Sequence, residues 1–198
     1  MEDNPTMNTL DGIAQRRSIR NFKPNQLPED VLHTILGAGM QAPSGKNKQP
    51  WRFVIVKEDQ RPEMVRILRE GIAKEKAEGG DPGSSEYTAR IMEHAPVTVF
   101  VFNPDGLSPW LAHSIDQNFT ELVDTQSIGA AIQNMLLAAE DLGVGSLWIC
   151  DVFYAYQALC DWLGEKGQMI AAISFGYPAE SPAARSRKSY SEVVRVKG

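Results

Sequence analysis

Cysteine is scarce in this 198-residue chain, which contains only Cys150 and Cys160. The two residues do not form a Cys-x-x-Cys pair, so neither a zinc knuckle nor a dithiol redox centre is expected. Cys150 ends an apolar, strand-like run, and Cys160 lies in a helix-like one. We therefore expect two buried structural thiols, with a disulfide between them as the less favoured alternative.

Long apolar segments are also lacking. The longest uncharged run, residues 125–139, contains Gln126, Gln133 and Asn134 and is too short and too polar to span a bilayer. The N-terminus has no charged-then-apolar leader of the secretory kind. We expect a soluble, cytoplasmic protein with no membrane partner.

The familiar motifs of phosphate transfer, dinucleotide binding and hydrolysis are missing as well. The glycine-punctuated turn at residues 142–146 leads from a helix into a strand, whereas a Gly-x-Gly-x-x-Gly fingerprint leads from a strand into a helix. There is no P-loop and no Gly-x-Ser-x-Gly elbow. The histidines His33, His94 and His113 do not have metal-ligand spacing, and we expect no metal. Any demanding chemistry should therefore come from a bound cofactor.

Positive charge is limited overall but concentrated at two places. The formal net charge is −5, which argues against a nucleic-acid partner. Residues 16–23 contain four bases and no acid, and residues 185–197 contain five bases and one acid. Two basic patches on an acidic body favour a small, localised anion site. The alternative is that the basic segments are solvated tails, particularly the second one.

The first patch is an arginine cluster. Arg16, Arg17 and Arg20 lie within five residues and repel one another unless an anion or carboxylates compensate. Guanidinium groups match phosphate oxygens in a bidentate manner, and Ser18 adds a hydroxyl donor. This composition predicts a phosphate contact, with a solvated, salt-bridged face as the alternative.

Residues 42–53 read Ala-Pro-Ser-Gly-Lys-Asn-Lys-Gln-Pro-Trp-Arg-Phe and form the most distinctive segment. Asn47 and Gln49 each offer both hydrogen-bond donors and acceptors, which suits the edge of a heterocycle that carries carbonyl and N–H groups. An ordered turn into a strand, with Trp51 as ordinary core, explains the segment equally well.

The apolar periodicity predicts an α+β fold. Helices are expected at residues 8–17, 29–41, 85–94, 115–142 and 153–163, with another capped by Asp59 and ended by the glycine-rich run 79–83. Strands are expected at 51–56, 97–102, 146–150 and 170–175, with an edge strand possible at 193–196. This order favours a central sheet, antiparallel or mixed, flanked by helices. The middle turns of helix 115–142 are apolar nearly all round, so a partner subunit in a self-complementary dimer is expected to cover it.

Four segments, taken in order, resemble the FMN-dependent nitroreductase family. Residues 16–22 resemble its N-terminal phosphate-contacting motif, and residues 42–53 resemble its flavin loop. Residues 124–148 resemble its central dimer helix and the strand under the flavin, and residues 174–189 its C-terminal strand and phosphate-binding tail. The resemblance implies a single nitroreductase-like, FMN-binding domain over residues 1–198. It also implies a homodimer with two FMN sites at the interface and a long central interface helix.

The resemblance further implies which residues bind the cofactor. One subunit would hold the phosphate and the ring edge, the other would supply the flavin loop, and one strand would pass backbone groups near the reactive flavin N5. The implied positions are Arg16, Arg17, Ser18, Arg20, Arg185 and Arg187 for the first group, Pro43, Ser44, Gly45 and Asn47 for the second, and Leu147, Trp148, Ile149 and Cys150 for the third.

The implied activity is a ping-pong cycle in which NADH or NADPH reduces FMN, which then reduces a nitroaromatic, a quinone or a similar small electrophile. The cycle requires no protein acid or base, so no catalytic residue is assigned. The Cys150-Asp151 pair departs from many relatives, and the variable segments 79–85 and 103–114 are expected to set the acceptor. Trp110 and His113 are candidates for stacking over the flavin. A flavin-binding sensor or store without turnover, and a basic-tail interaction module without a cofactor, remain alternatives.

Overall fold

The structure, a computed structural model, describes residues 8–198, and residues 1–7 of the expected 1–198 domain lie outside the described residues. The helices are α1 (Thr9–Gln15), α2 (Glu29–Met40), α3 (Arg61–Ala77), α4 (Ser85–His94), α5 (Ile115–Asp141), α6 (Tyr156–Leu163) and α7 (Tyr190–Val193). The strands are β1 (Arg52–Val56), β2 (Val97–Asn103), β3 (Gly145–Ile149) and β4 (Gln168–Gly176). Short 3₁₀ turns lie at Gly45–Asn47 and Asp151–Ala155.

The four strands form one sheet in the order β1-β2-β4-β3, and all neighbouring strands are antiparallel. The predicted α+β class with a central sheet is therefore confirmed. All seven residues of β2 are buried, as its unbroken apolar sequence predicts for an inner strand covered on both faces. β3 lies at an edge of the sheet, which leaves one of its sides open to other segments.

Helices cover both faces of the sheet because side chains along each strand alternate in direction. On one face, Val99 and Ile173 belong to a core shared with α2 and α5. On the other face, Phe100 and Phe102 belong to a core shared with α3, α4 and α6. The sheet is thus the middle of three layers.

Helix α5 has 27 residues and ends where Gly143 adopts a φ of +68°, a conformation that glycine tolerates best. One face of its middle turns is buried in the chain's own core, with Ile128 and Ile132 fully inaccessible. The other face is only partly buried, at Gly129, Ala130 and Ala138 for example, so burial on most sides is not found within one chain. Its first turns differ, since Ile115, Phe119 and Leu122 are exposed on one face. No described helix, α5 included, combines the length and the apolar character that a membrane crossing requires.

Three local predictions were wrong. Helix α3 begins at Arg61 without a cap from Asp59, because Pro62 in its first turn sets the start. Residues 153–163 are divided between a 3₁₀ turn and α6. The tail at 193–196 contains no strand. Instead, the Ser189 and Glu192 side chains form a capping box that starts α7, a signal present in the sequence as Ser-x-x-Glu.

The two cysteines are both free, and only one is buried. Cys160 is 3% exposed, as predicted. The prediction that Cys150 is buried was wrong, because β3 ends at Ile149 and Cys150 lies just past the strand, at the start of the 3₁₀ turn. The apolar run before Cys150 did not reveal that the strand stops one residue earlier.

Candidate functional site

The two basic segments meet in one cavity of about 460 Å³. Arginines from both ends of the chain line it, together with Ser18 and small or apolar side chains from α1 and from residues 182–184. The predicted phosphate-contacting residues that line this cavity are Arg16, Arg17, Ser18, Arg20, Arg185 and Arg187.

Backbone pairing holds the first arginine cluster in this position. Ser18 forms a parallel β-bridge with Ser146 on the open edge of β3, and the Ile19 amide donates a 2.9 Å hydrogen bond to the Ser146 carbonyl. Further along, Phe22 bridges to Pro178, just after β4. Gly145 permits the close approach, since a Cβ there would lie 2.8 Å from Ile19 Cγ1.

Among the described residues that line it, the cavity has five arginines and no acid. Within residues 8–198, no ion pair joins any of its five arginines to a carboxylate. Arg17 donates to the carbonyls of Ala14 and Gln15, both at 2.8 Å. Glu180 is close by, but it accepts from the backbone amides of Arg20 and Asn21. A compact cluster of guanidinium groups without carboxylate partners fits a phosphate group.

The loop at residues 43–49 has an unusual backbone. Lys46, Asn47 and Gln49 adopt φ angles of +53°, +55° and +52°. Left-handed conformations are uncommon for residues other than glycine, and they cluster at functional sites. The Ser44 hydroxyl supports the turn by accepting a 2.9 Å hydrogen bond from the Gln49 amide. The surrounding contacts must therefore hold this loop in place.

The loop packs on α5 and does not contribute to the arginine cavity. The Gly45 amide donates a 3.4 Å hydrogen bond to the Ser127 hydroxyl, and the Lys48 ammonium lies 2.6 Å from the Asp124 carboxylate. None of the predicted loop residues lines the arginine cavity; these are Pro43, Ser44, Gly45 and Asn47. One chain therefore does not bring the two predicted groups together.

The predicted contacts on β3 are limited to particular atoms. The side chains of Leu147 and Ile149 are buried in the core under α3, α4 and α6. Their backbone groups point towards the paired strand β4, so neither residue offers a polar group to the open edge. Because the Ser146 carbonyl faces the open edge of β3, and alternate residues face the same way, the backbone N–H and C=O of Trp148 face that edge too. The strand thus presents polar backbone groups beside the arginine cavity.

Cys150 is the first residue after β3. Although the residue as a whole is exposed, partial desolvation of its thiol, followed by the charge of Asp151, raises the pKa of Cys150 above its usual value of 9.0. The group is therefore a neutral thiol at pH 7, and Cys150 brings no negative charge to this end of the strand.

A second cavity, of about 820 Å³, shares no lining residue with the first. The aromatic residues that line it are Trp110, Phe153, Tyr154 and Tyr156. The ring centroids are 4.8 Å apart for Trp110 and Tyr156 and 5.6 Å apart for Phe153 and Tyr156. The stacking of Trp110 over a flavin stays a prediction. In this chain, the exposed Trp110 ring is held against Tyr156 at the mouth of an aromatic cavity.

His113 has a structural position. Its Nδ1 lies 2.9 Å from a Glu121 carboxylate oxygen, and its Nε2 lies 3.1 Å from the Ser108 carbonyl oxygen. The Leu107 amide also donates to Glu121, at 2.8 Å. Both ring nitrogens are engaged, so His113 anchors the 103–114 loop to α5. Stacking of its ring over a flavin stays a prediction.

Burial alone would raise the pKa of Glu121. The hydrogen bonds from the Leu107 amide and the Gln117 side chain, followed by the charge and hydrogen bond of His113, outweigh burial and hold that pKa below 4.5. Glu121 is therefore an ionised, buried anchor at neutral pH.

Sequence reasoning missed Lys48 and the two acids of α5 that hold these loops, Glu121 and Asp124. The signal available was their spacing of three residues, which places two carboxylates on one face of a helix. Across residues 8–198, no group of three or more His, Cys, Asp or Glu side chains is arranged to hold a metal ion.

Comparisons with known proteins agree on one family. The model described as "Nitroreductase family" matches residues 13–177. A predicted NADH dehydrogenase/NAD(P)H nitroreductase from Methanothermobacter thermautotrophicus is 28% identical over 184 residues, which is 90% of this chain and 82% of the relative.

Two solved structures at similar identity have the same fold. A predicted nitroreductase from Desulfovibrio desulfuricans, crystallised in complex with FMN, is 29% identical with a TM-score of 0.74, over 99% of this chain and 98% of that one. A BluB-like flavoprotein from Clostridium difficile 630 is 27% identical with a TM-score of 0.77, over 97% of this chain and 100% of that one.

Proposed function

The chain belongs to the nitroreductase family, and from that premise we propose that it is an FMN-dependent oxidoreductase. It takes electrons from NADH or NADPH and delivers them to a nitroaromatic, a quinone or a similar small electrophile. We propose that the whole chain acts as one FMN-binding domain in the cytoplasm, where the nicotinamide donors are available.

The observation that carries this proposal is the arginine cavity. Five guanidinium groups, which pair with no carboxylate of residues 8–198, would form the site for the FMN phosphate, and the Ser18–Ser146 bridge holds them beside the open edge of β3. The similar protein from Desulfovibrio desulfuricans, crystallised in complex with FMN, supports FMN as the cofactor. Arg16, Arg20 and Arg187 are the side chains that would contact the phosphate oxygens.

The open edge of β3 would receive the flavin ring. The backbone N–H and C=O of Trp148 face this edge and match the alternating donors and acceptors of a flavin's polar rim. Bound FMN would supply the redox chemistry by accepting electrons from the nicotinamide and passing them to the acceptor. The nearby arginines would stabilise negative charge on the ring, and the neutral Cys150 thiol would not oppose it.

We propose a homodimer in which each site uses both chains. The loop at residues 43–49 carries the polar groups suited to a flavin edge, yet it lies outside its own chain's arginine cavity. The exposed apolar face of Ile115, Phe119 and Leu122 on α5 is the surface that a second copy would cover. Dimerisation would thus bring one chain's loop to the other chain's arginines.

A flavin-binding experiment tests the proposed site. The apoprotein should bind FMN roughly 100-fold more tightly than riboflavin, because only FMN carries the phosphate that the arginines contact. Equal affinities for the two flavins, measured by fluorescence quenching, would contradict the assignment of the cavity.

Turnover distinguishes an enzyme from a flavin-binding sensor or store. The FMN-loaded protein should oxidise NADH or NADPH only when an acceptor is present, at a rate that depends on the acceptor's concentration. Flavin binding without any acceptor-dependent oxidation of either nicotinamide would favour the sensor or storage role.

A further inference from the structure

In the 43–49 loop, one lysine lies between two residues whose backbones adopt an uncommon, left-handed conformation. Lys48 lies between Asn47 and Gln49, which both adopt left-handed conformations, as Lys46 does. A free loop of this composition would rarely populate such a conformation at three of four successive residues. Contacts from outside the loop must therefore select it.

The strongest of those contacts is a salt bridge from Lys48 to a buried acid. Lys48 Nζ lies 2.6 Å from Asp124 Oδ2 on α5 and 3.4 Å from Asp105 Oδ2. Asn103, at the end of β2, donates to the same Asp124 oxygen at 3.3 Å. The lysine therefore joins the loop to α5 and to the segment that follows β2.

Because Asp124 is buried, losing its partner costs more free energy than losing the partner of a surface carboxylate. Asp124 is only 3% exposed, and a buried carboxylate without a cation partner is strongly unfavourable. The Lys57–Glu29 pair, by contrast, is exposed at both ends. Leaving Asp124 unpaired is costly, so the loop is kept where the Lys48 side chain can reach it.

The protonation state of Lys48 is consistent with this salt bridge. The hydrogen bond to Asp124, opposed by desolvation and aided by Asp105, raises the pKa of Lys48 above 10.5. The ammonium group of Lys48 therefore stays charged throughout the physiological pH range.

We propose that Lys48, paired with Asp124, is a positioning residue that holds the 43–49 loop in its left-handed conformation and so preforms that wall of the flavin site. This inference rests on the proposed function, because the loop's role in flavin binding belongs to that proposal. Lys48 itself need not touch the cofactor, since it acts through the neighbouring Asn47 and Ser44.

The test compares variants that alter the salt bridge with one that does not. Lys48→Met with Asp124→Asn removes both charges and avoids leaving a buried carboxylate alone, so the protein should fold. Lys48→Arg preserves the charge and should rescue binding. Lys57→Met, which breaks the exposed pair with Glu29, is the matched control for the loss of a lysine.

Two readouts are measured on the full chain. The first is the dissociation constant for FMN, which should rise at least tenfold in the double variant and stay within threefold of wild type in Lys48→Arg and Lys57→Met. The second is the rate of tryptic cleavage after Lys46 in the apoprotein, which should rise at least tenfold in the double variant, because the loop loses its anchor.

The outcomes separate this inference from the proposed function. A wild-type chain that does not bind FMN would contradict the function itself and this role with it. Wild-type binding with unchanged affinity in a folded double variant would overturn the role of Lys48 alone. Weaker binding without faster cleavage would also overturn it, since the loop would then have kept its shape.

Discussion

Ser18 lies beside Ser146 in a parallel β-bridge that joins the arginine cluster to the edge strand β3. The hydrogen bond from the Ile19 amide to the Ser146 carbonyl, 2.9 Å long, fixes the register. This pairing places a cavity rich in guanidinium groups next to the backbone groups of Trp148, which face the open edge of β3. A phosphate at one end and a polar ring along the strand would use both features.

The close approach at Gly145 is open to a direct test. In Gly145→Ala, the new Cβ would lie 2.8 Å from Ile19 Cγ1, so the arginine segment must shift. We expect a loss of roughly 1–3 kcal/mol in the free energy of unfolding and weaker FMN binding. Gly37→Ala in α2 is the control, because its Cβ would meet nothing within 4 Å and should preserve stability or increase it. Equal behaviour of the two variants in thermal unfolding and FMN titration would refute this prediction.

Removing one arginine from the cavity should weaken FMN binding without unfolding the protein. Arg20→Ala deletes a charged donor that pairs with no carboxylate in the described part of the chain, so we expect the FMN dissociation constant to rise roughly 10- to 100-fold. Arg66→Ala is the control, since Arg66 pairs with Glu63 and Glu70 on the exposed side of α3. Riboflavin affinity should change little in Arg20→Ala, and a parallel loss for both flavins would indicate general damage instead of a lost phosphate contact.

The exposed face of α5 predicts the oligomeric state. Phe119 is 68% exposed and lies on one helical face with Ile115 and Leu122. Phe119→Asp would place a charge in the proposed dimer interface, so the variant should be a monomer in light scattering while the wild type is a dimer. The monomer should also lose FMN affinity, because each site would lack its partner's loop. A monomeric variant with full FMN affinity would contradict the shared site.

The Glu121 anchor predicts sensitivity to acid. Because the folded-state pKa of Glu121 is lowered, its contribution is fully present above about pH 4.5 and is lost as the pH falls through the folded-state value. Glu121→Gln should lower stability at pH 7 by about 1–3 kcal/mol, or several degrees in Tm. The difference in Tm between wild type and variant should shrink as the pH falls below about 4.5. A difference that stays constant from pH 7 to pH 3 would argue against this role.

Local patterns predicted most of the fold correctly. The bounds of α5, its end at Gly143 and the buried strand β2 followed from apolar periodicity and glycine geometry, which depend on neighbours in sequence. The α7 capping box was also encoded locally and was overlooked in favour of the apolar run at 193–196. Cys150 was predicted to be buried because the strand was expected to include it. Apolar periodicity does not give the end of a strand to within one residue, and here that one residue separates a buried position from an exposed one.

The site was predictable to the extent that charge and composition could identify it. The absence of acids around Arg16 and Arg20 indicated an anion site, and the structure brings Arg185 and Arg187 to the same cavity. Lys48 gave no such signal, because its partner Asp124 is distant in the sequence and only the tertiary fold brings them together. The contact between His113 and Glu121 likewise gave no signal, because Glu121 lies on the next helix and only the fold brings the two side chains together.

Rapid mixing under anaerobic conditions tests the central claim most directly. The FMN-loaded protein is mixed with NADH or NADPH, and the flavin absorbance is followed before and after addition of a nitroaromatic or a quinone. The account predicts that at least one nicotinamide bleaches the flavin band and that the acceptor restores it, over repeated cycles. A bound flavin that neither nicotinamide reduces would contradict the proposed oxidoreductase function.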